Sequence, residues 1–258
     1  MSRIIIIGEA SLEVFFDAEA RPVASVPGSI LLNAASILAR RGREVSLVSE
    51  IGTDPTGEVI MRYLTEAGVS TYAIDRFSEG ATPCTLNFPG PDGSLLTSRY
   101  ERYPDGAGLD VPWPRIDSGD IVAVGGYIAV SQRVHENLRQ FIANALDRGA
   151  RLVFLPGFWD QRVTRVTRIM PAILEIMERA DVVVTRTPDL PQLYSTSDPA
   201  RVFASNISFY VPVMYNIDAD AASTTLFRAK TDPVVSVAPS LPHTHRHATL
   251  IADILGSL

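Results

Sequence analysis

Apolar residues along the chain fall into short, β-branched runs, separated by stretches in which they recur every third or fourth position. The runs at 3–8, 44–49, 120–124, 151–155, 181–184, 209–216 and 234–237 are almost wholly apolar, as strands covered on both faces must be. Residues 29–41, 55–67, 132–148, 163–179 and 246–255 carry helical spacing instead. This alternation predicts an α/β fold, a doubly wound and mainly parallel sheet with helices on both faces. Ala39-Arg40-Arg41-Gly42, Glu66-Ala67-Gly68 and Asp147-Arg148-Gly149 each set a glycine where a helix would close in the left-handed conformation. Two segments break the alternation. Residues 12–26 and 82–102 have strand composition without an intervening helix, and Gly90-Pro91-Asp92-Gly93 supplies a turn for the second. They predict a small antiparallel β-sheet that stands off the main sheet as a lid.

Composition narrows the picture without changing it. With 258 residues, 46% of them hydrophobic, the chain can bury one large core, so residues 1–258 are expected to form a single domain. A formal net charge of -6 removes the broad electropositive surface that nucleic acid requires. Cys84, the one cysteine, has no partner for an internal disulfide and is read as a small buried hydrophobe in a reducing compartment. The apolar run Ile4–Ile7 is too short for a signal-peptide core or a membrane span. A cytoplasmic location and no membrane partner are the resulting expectations.

Identity begins to show in the order of the motifs. Pro27-Gly28-Ser29 opens a helix that bears Asn33; a strand follows, then Ile51-Gly52-Thr53-Asp54-Pro55-Thr56-Gly57, then a helix that ends in Ala67-Gly68-Val69. Together with Ile5-Ile6-Ile7-Gly8-Glu9 and the paired Gly125-Gly126, this series resembles the N-terminal signature of the ribokinase-like (PfkB-type) carbohydrate kinases. The resemblance implies an ATP-dependent phosphotransferase acting on a sugar or nucleoside hydroxyl, with Mg-ATP as cofactor and a small sugar or polyol as ligand. It also implies three substrate-binding positions: Asn33 as a sugar-contacting amide, Gly28 where backbone approaches the substrate, and Glu13 in place of the family's aspartate. The residues alone leave an alternative open, in which Asn33 faces solvent from its helix and Glu13 is a bare carboxylate on the lid. Ser29 replaces a glycine of the family pattern. The unpaired edges of the lid further suggest a homodimer joined lid to lid.

The C-terminal half departs from that pattern. Aligning 248–255 with the family's last helix sets Thr244-His245-Arg246-His247 on its Gly-Ala-Gly-Asp motif, where small residues expose N–H groups to an anion and the aspartate takes the hydroxyl proton. Residues 216–221 fall on a glycine-bearing turn along the nucleotide, with both glycines replaced. Leu155-Pro156-Gly157 falls on Asp-Pro-Asn, and Arg186-Thr187-Pro188-Asp189 on the Mg²⁺-associated Asn-x-x-Glu. Losses concentrated in one functional layer imply a kinase fold with weak or no catalysis, a sugar-binding or regulatory pseudokinase. Two sharper readings compete. In one the kinase is active, with His247 as base, Arg246 neutralising phosphate charge, and Thr244, His245 and Asp189 beside the nucleotide. In the other His243, His245 and His247 alternate along an extended segment and hold a metal ion on one face.

Overall fold

In a computed structural model, which describes residues 2–91, 94–157, 163, 165–238 and 245–258, the chain builds two sheets. Strands are β1 (Ile4–Ile7), β2 (Ser11–Phe16), β3 (Pro22–Gly28), β4 (Val45–Gly52), β5 (Ile74–Phe77), β6 (Ala81–Pro89), β7 (Leu95–Arg102), β8 (Ile121–Gly125), β9 (Arg151–Leu155), β10 (Val182–Arg186), β11 (Val213–Asp218), β12 (Ser223–Arg228) and β13 (Val234–Val237). Helices are α1 (Ile30–Arg40), α2 (Pro55–Ala67), α3 (His135–Asp147), α4 (Met170–Met177), α5 (Leu190–Tyr194), α6 (Pro199–Val202) and α7 (Arg246–Ser257). The main sheet runs β13-β12-β11-β10-β9-β8-β1-β4-β5 and is parallel from β11 to β5. It belongs to the α/β class expected from the periodicity.

Strand β1 shows why the apolar runs are continuous. Ile5 and Ile7 enter the core under α3 and α4, whereas Ile4 and Ile6 enter the core under α1, α2 and α7. All four are buried, and each contributes roughly 1.5–3 kcal/mol relative to an exposed side chain. Gly42, Gly68 and Gly149 do adopt positive φ just past their helices, at 81°, 83° and 82°, so the helix ends were legible as written. Among the described residues no helix is long and apolar enough to cross a membrane.

The small sheet, ordered β3-β2-β6-β7, comes from the two segments that broke the alternation. It is mixed rather than antiparallel, because β2 and β6 run in the same direction. Both strands follow the C-terminal ends of parallel main-sheet strands, β2 after β1 and β6 after β5, so they enter the small sheet in the same direction. Cys84 sits half-buried on β6 rather than in the core. The Gly52–Gly57 motif ties the sheets together. Asp54 accepts hydrogen bonds from the N–H of Gly57 at 2.8 Å, capping α2, and from the N–H of Thr82 at 2.7 Å, which anchors β6. Burial works against the charged carboxyl, but these amide bonds hold it below its ordinary range.

Other departures have local causes. Strands β5 and β12 were not anticipated, since Ile74-Asp75-Arg76-Phe77 is half charged and Ser223-Thr224-Thr225 is polar; both lie toward the ends of the sheet, where one face is only partly covered. The strand expected over 209–216 starts at Val213, leaving Phe209 and Tyr210 exposed in a turn. The helix expected over 163–179 is regular only over Met170–Met177, behind a 3₁₀ turn at Val166–Arg168, with Pro171 in its first turn. Residues 190–207, for which no helix was expected, form α5, α6 and a π turn at Phe203–Ile207.

Ser29, where the family pattern has glycine, caps α1 at φ 94°, a conformation that favours glycine. Its hydroxyl donates to the carbonyl of Glu9 and accepts from the N–H of Leu32, and its N–H donates to Glu13 Oε1 at 3.1 Å. Ser29→Ala keeps the strained backbone and loses the cap, so urea unfolding should show a loss of about 1–2 kcal/mol, whereas Ser29→Gly should lie within about 0.5 kcal/mol of wild type. Equal losses for the two would refute this account.

Candidate functional site

The order of the main sheet reverses at β1, with β4 on one side and β8 on the other, and such switch points leave a crevice beyond the C-terminal strand ends. A cavity of about 650 Å³ lies there, within the range of small-molecule sites. Its walls come from Glu9 after β1, Ser49 and Glu50 of β4, Glu101 and Tyr103 at the end of the small sheet, Tyr127 to Arg133 after β8, and Arg165 and Arg168 after β9.

Two charge networks frame it. Glu50 is nearly inaccessible, at 2% side-chain exposure, and is clasped by both terminal nitrogens of Arg133, one donating to Oε1 at 2.7 Å and the other to Oε2. Oε1 also accepts from the N–H of Leu109 at 3.1 Å. The hydrogen bond to Glu50 raises the pKa of the Arg133 guanidinium, whose carbon lies 4.2 Å from the centre of the Tyr103 ring. Burial pushes the Tyr103 hydroxyl up as well, keeping it neutral. On the other side Arg99 of β7 bridges Glu101, at 2.9 Å, to Glu9, at 3.5 Å, while the N–H of Tyr127 donates to Glu9 at 3.2 Å. Arg99 thereby links the small sheet to the main one across the cavity mouth. Glu9 and Glu101, with side chains 16% and 21% exposed, are suited to accept hydrogen bonds from hydroxyl groups, whereas Glu50 is enclosed by its own partners.

The three expected substrate positions lie elsewhere. Gly28 and Glu13 do come together, on paired strands, but a side chain at position 28 would fall inside the Glu13 carboxyl. Gly28 therefore makes room for Glu13. Asn33 is buried rather than solvated, and its Oδ1 accepts from the Tyr63 hydroxyl at 3.2 Å. None of the three lines the cavity. The residues that do were missed, although one signal was available: Glu50 is the one charged residue in the strand stretch Val45–Gly52.

Toward the other end of the sheet lie Arg186, Asp189 and Arg246, among the positions that the resemblance associates with nucleotide and metal. Nε and Nη2 of Arg186 donate to the two carboxylate oxygens of Asp189, each at 2.6 Å, with side chains 12% and 3% exposed. Gly157 permits this, since a side chain there would fall on Asp189 and approach Arg186. An Mg²⁺ ion does not fit this donor set: both oxygens are taken by a buried cation, and among the described residues no group of three or more His, Cys, Asp or Glu is arranged to hold a metal. Arg246 is buried and donates to the carbonyls of Ala219, at 2.7 Å, and Asp220, at 3.4 Å, while the N–H of Ala221 donates to Asp218. These bonds tie the 218–221 turn to the start of α7.

His245 adopts φ 59° ahead of α7 and makes no side-chain cap. His247 is already in the first helical turn, so 245 and 247 do not alternate along an extended segment as the metal reading requires. Thr244 and His243 lie outside the described residues. Burial, with the Arg186 charge adding to it, holds the His247 imidazole below its ordinary pKa against the opposing pull of Asp189, Asp220 and Asp218. Its Nε2 is buried and has no hydrogen-bond partner among the described residues.

Comparison with known proteins points to one family. Residues 4–205 match the family described as pfkB family carbohydrate kinase. A D-beta-D-heptose 7-phosphate kinase of Bordetella bronchiseptica is 26% identical over 197 residues, 69% of this chain and 61% of that protein. The chain therefore spans about three-fifths of this relative's length. Among solved structures, a Vibrio cholerae fructokinase with fructose, ADP and calcium bound is similar with a TM-score of 0.80, at 17% identity over 94% of this chain and 78% of that one. An E. coli putative ribokinase II in complex with ATP and Mg²⁺ gives 0.79, at 14% identity over 100% and 87%.

Proposed function

The chain belongs to the pfkB family of carbohydrate kinases, and from that premise we propose that it binds a small sugar in the 650 Å³ cavity while its phosphate-transfer machinery is disabled. The observation that carries this reading is the Arg186–Asp189 pair seated over Gly157. Phosphoryl transfer depends on positioned cations and donors around the moving group. Here the carboxylate that would serve a metal is neutralised from within, and the residue that gives the pair space is itself a departure from the family pattern. Two departures that fit each other in space form a settled arrangement. Arg246, drawn onto the 219–220 carbonyls, closes the same region from the other side.

The sugar half differs in kind. Its carboxylates Glu9 and Glu101 line a cavity of ligand size and are oriented by Arg99, while the enclosed Glu50–Arg133 pair supports the wall. Titration calorimetry with Mg-ATP should give no binding heat at millimolar nucleotide, and no ADP should be released across a panel of sugars and nucleosides, while one or more sugars bind. Sugar-dependent turnover that vanishes in His247→Ala would overturn the reading. It would establish instead a kinase that uses the neutral imidazole as its base.

A further inference from the structure

Between β7 and β8 the chain runs as a strap without regular structure, and four successive residues of it, 107–110, are each held by a side chain. The Ala107 carbonyl accepts from Arg133 at 3.0 Å and the Gly108 carbonyl from Asn137 Nδ2 at 2.7 Å. The Leu109 N–H donates to Glu50 Oε1 at 3.1 Å, and the Asp110 N–H donates to the Asp75 carboxyl. Leu109 holds φ 64° with its side chain fully buried, a left-handed conformation that a bulky residue keeps only where its surroundings impose it. The strap begins at Tyr103, which lines the cavity beside Glu101 and packs under the Arg133 guanidinium. What holds the strap therefore also holds that wall. The holding groups are short of positive charge. Glu50 and Asp75 are partners in register on β4 and β5, so they share a face of the sheet, and the exposed Asp110 brings a third acid from the strap. Arg133 is the cation among them, and Glu50 engages both of its terminal nitrogens. Arg76, next to Asp75, pairs with Glu58 instead, and the other groups acting on Arg133 are the neutral Tyr103 and Glu101.

We propose that Glu50, Asp75 and Arg133 form a pH-responsive latch on this strap, firm while Asp75 is protonated and looser once it ionises, so that the Tyr103 and Glu101 wall of the cavity is released as the pH rises. Two carboxylates that share one guanidinium in a half-buried place do not both ionise freely. The Asp75 carboxyl is raised by burial first and by the Glu50 charge next, with the Asp110 charge adding to them and the Asp110 N–H and Arg133 opposing. A protonated Asp75 still offers its carbonyl oxygen to the Asp110 N–H and no longer repels Glu50. Opening the strap returns Asp75 to water and to its ordinary pKa, so the closed form holds the proton more tightly. Opening therefore becomes easier as pH rises through the closed-form value, and the dependence ends below the ordinary carboxylate range, where both forms are protonated.

Hydrogen exchange on the full chain, read residue by residue by NMR and corrected for the intrinsic rate at each pH, measures the opening directly, and it does so whether or not a sugar binds. Protection of the Leu109 and Asp110 amides should fall about threefold or more from mildly acidic to neutral pH. Low urea should leave their exchange unchanged while it speeds that of Val122 and Val124 in β8, because a local opening exposes little surface. In Asp75→Asn, which keeps an acceptor for Asp110 and cannot ionise, protection should stay level with pH. Glu50→Gln removes the neighbouring charge and should shrink the fall, a check that does not depend on the first variant folding. Level protection in the wild-type chain, a fall that persists in Asp75→Asn or is undiminished in Glu50→Gln, or strap amides that share the rate and urea dependence of β8 would each overturn the latch.

Discussion

Asp189→Ala should lower the stability of the folded chain by about 3–5 kcal/mol, because it strands a largely buried guanidinium without its counter-charge. Arg186 is 12% exposed and two of its nitrogens, Nε and Nη2, donate to Asp189, so little water is at hand to replace the lost acceptor. The magnitude reports on the missing partner and not on the worth of the pair. Replacing both residues together, as Arg186→Met with Asp189→Leu, should therefore be far milder, since buried pairs exchanged for apolar side chains are often neutral. Chemical denaturation of the two single variants and the double gives the coupling directly. Gly157→Ala should show a share of the same loss, because its Cβ would press on the seated pair. A loss of under about 1 kcal/mol for Asp189→Ala would place the pair among ordinary surface bridges. In that event the carboxylate would be free to serve a cation, and the case for a disabled transfer site would weaken with it.

That pair also marks the boundary of what the sequence makes legible. Arg186 and Asp189 stand three apart in a strand-to-turn motif, so their meeting is local and readable, but their seat on Gly157 joins residues 29 or more positions apart and appears only in three dimensions. Ile4–Ile7 is the opposite case, since a strand covered on both faces must be apolar throughout, and the helices flanking it announce themselves by spacing and by glycine ends. Strand β12 is polar because one of its faces is only partly covered, so no alternation betrays it. The small sheet was visible as composition, yet the parallel β2–β6 pair follows from where the chain re-enters, a property of topology and not of either segment. The cavity was the hardest part to foresee. Its carboxylates and guanidinium groups come from five separated stretches, and motif resemblance pointed instead to Glu13, Gly28 and Asn33, which the fold turns toward one another or into the core.

Arg133→Met should be the most damaging change in the cavity wall, again by about 3–5 kcal/mol, since among the described residues it leaves the buried Glu50 carboxylate with only the Leu109 N–H as a hydrogen-bond partner. A second acid makes the effect depend on pH in a defined direction. Asp75 pairs with Glu50 across β4 and β5, and its carboxyl is raised above the ordinary range by burial first and by the Glu50 charge next, with the Arg133 charge opposing both. Removing Arg133 removes that opposition and lifts Asp75 further. A carboxyl whose folded pKa lies above its unfolded value holds more protons when folded, so stability falls as pH rises through the folded value and is recovered below the unfolded one. The deficit of Arg133→Met should thus be largest at neutral pH and shrink as the pH is lowered toward the range where Asp75 is protonated. Adding Glu50→Gln to Arg133→Met should remove most of the deficit and flatten its pH dependence together, because the buried charge and the pressure on Asp75 disappear in one step. Urea unfolding across that pH range checks both, and a deficit that stays constant with pH would show that Arg133 supports the wall through packing on Tyr103 and not through charge.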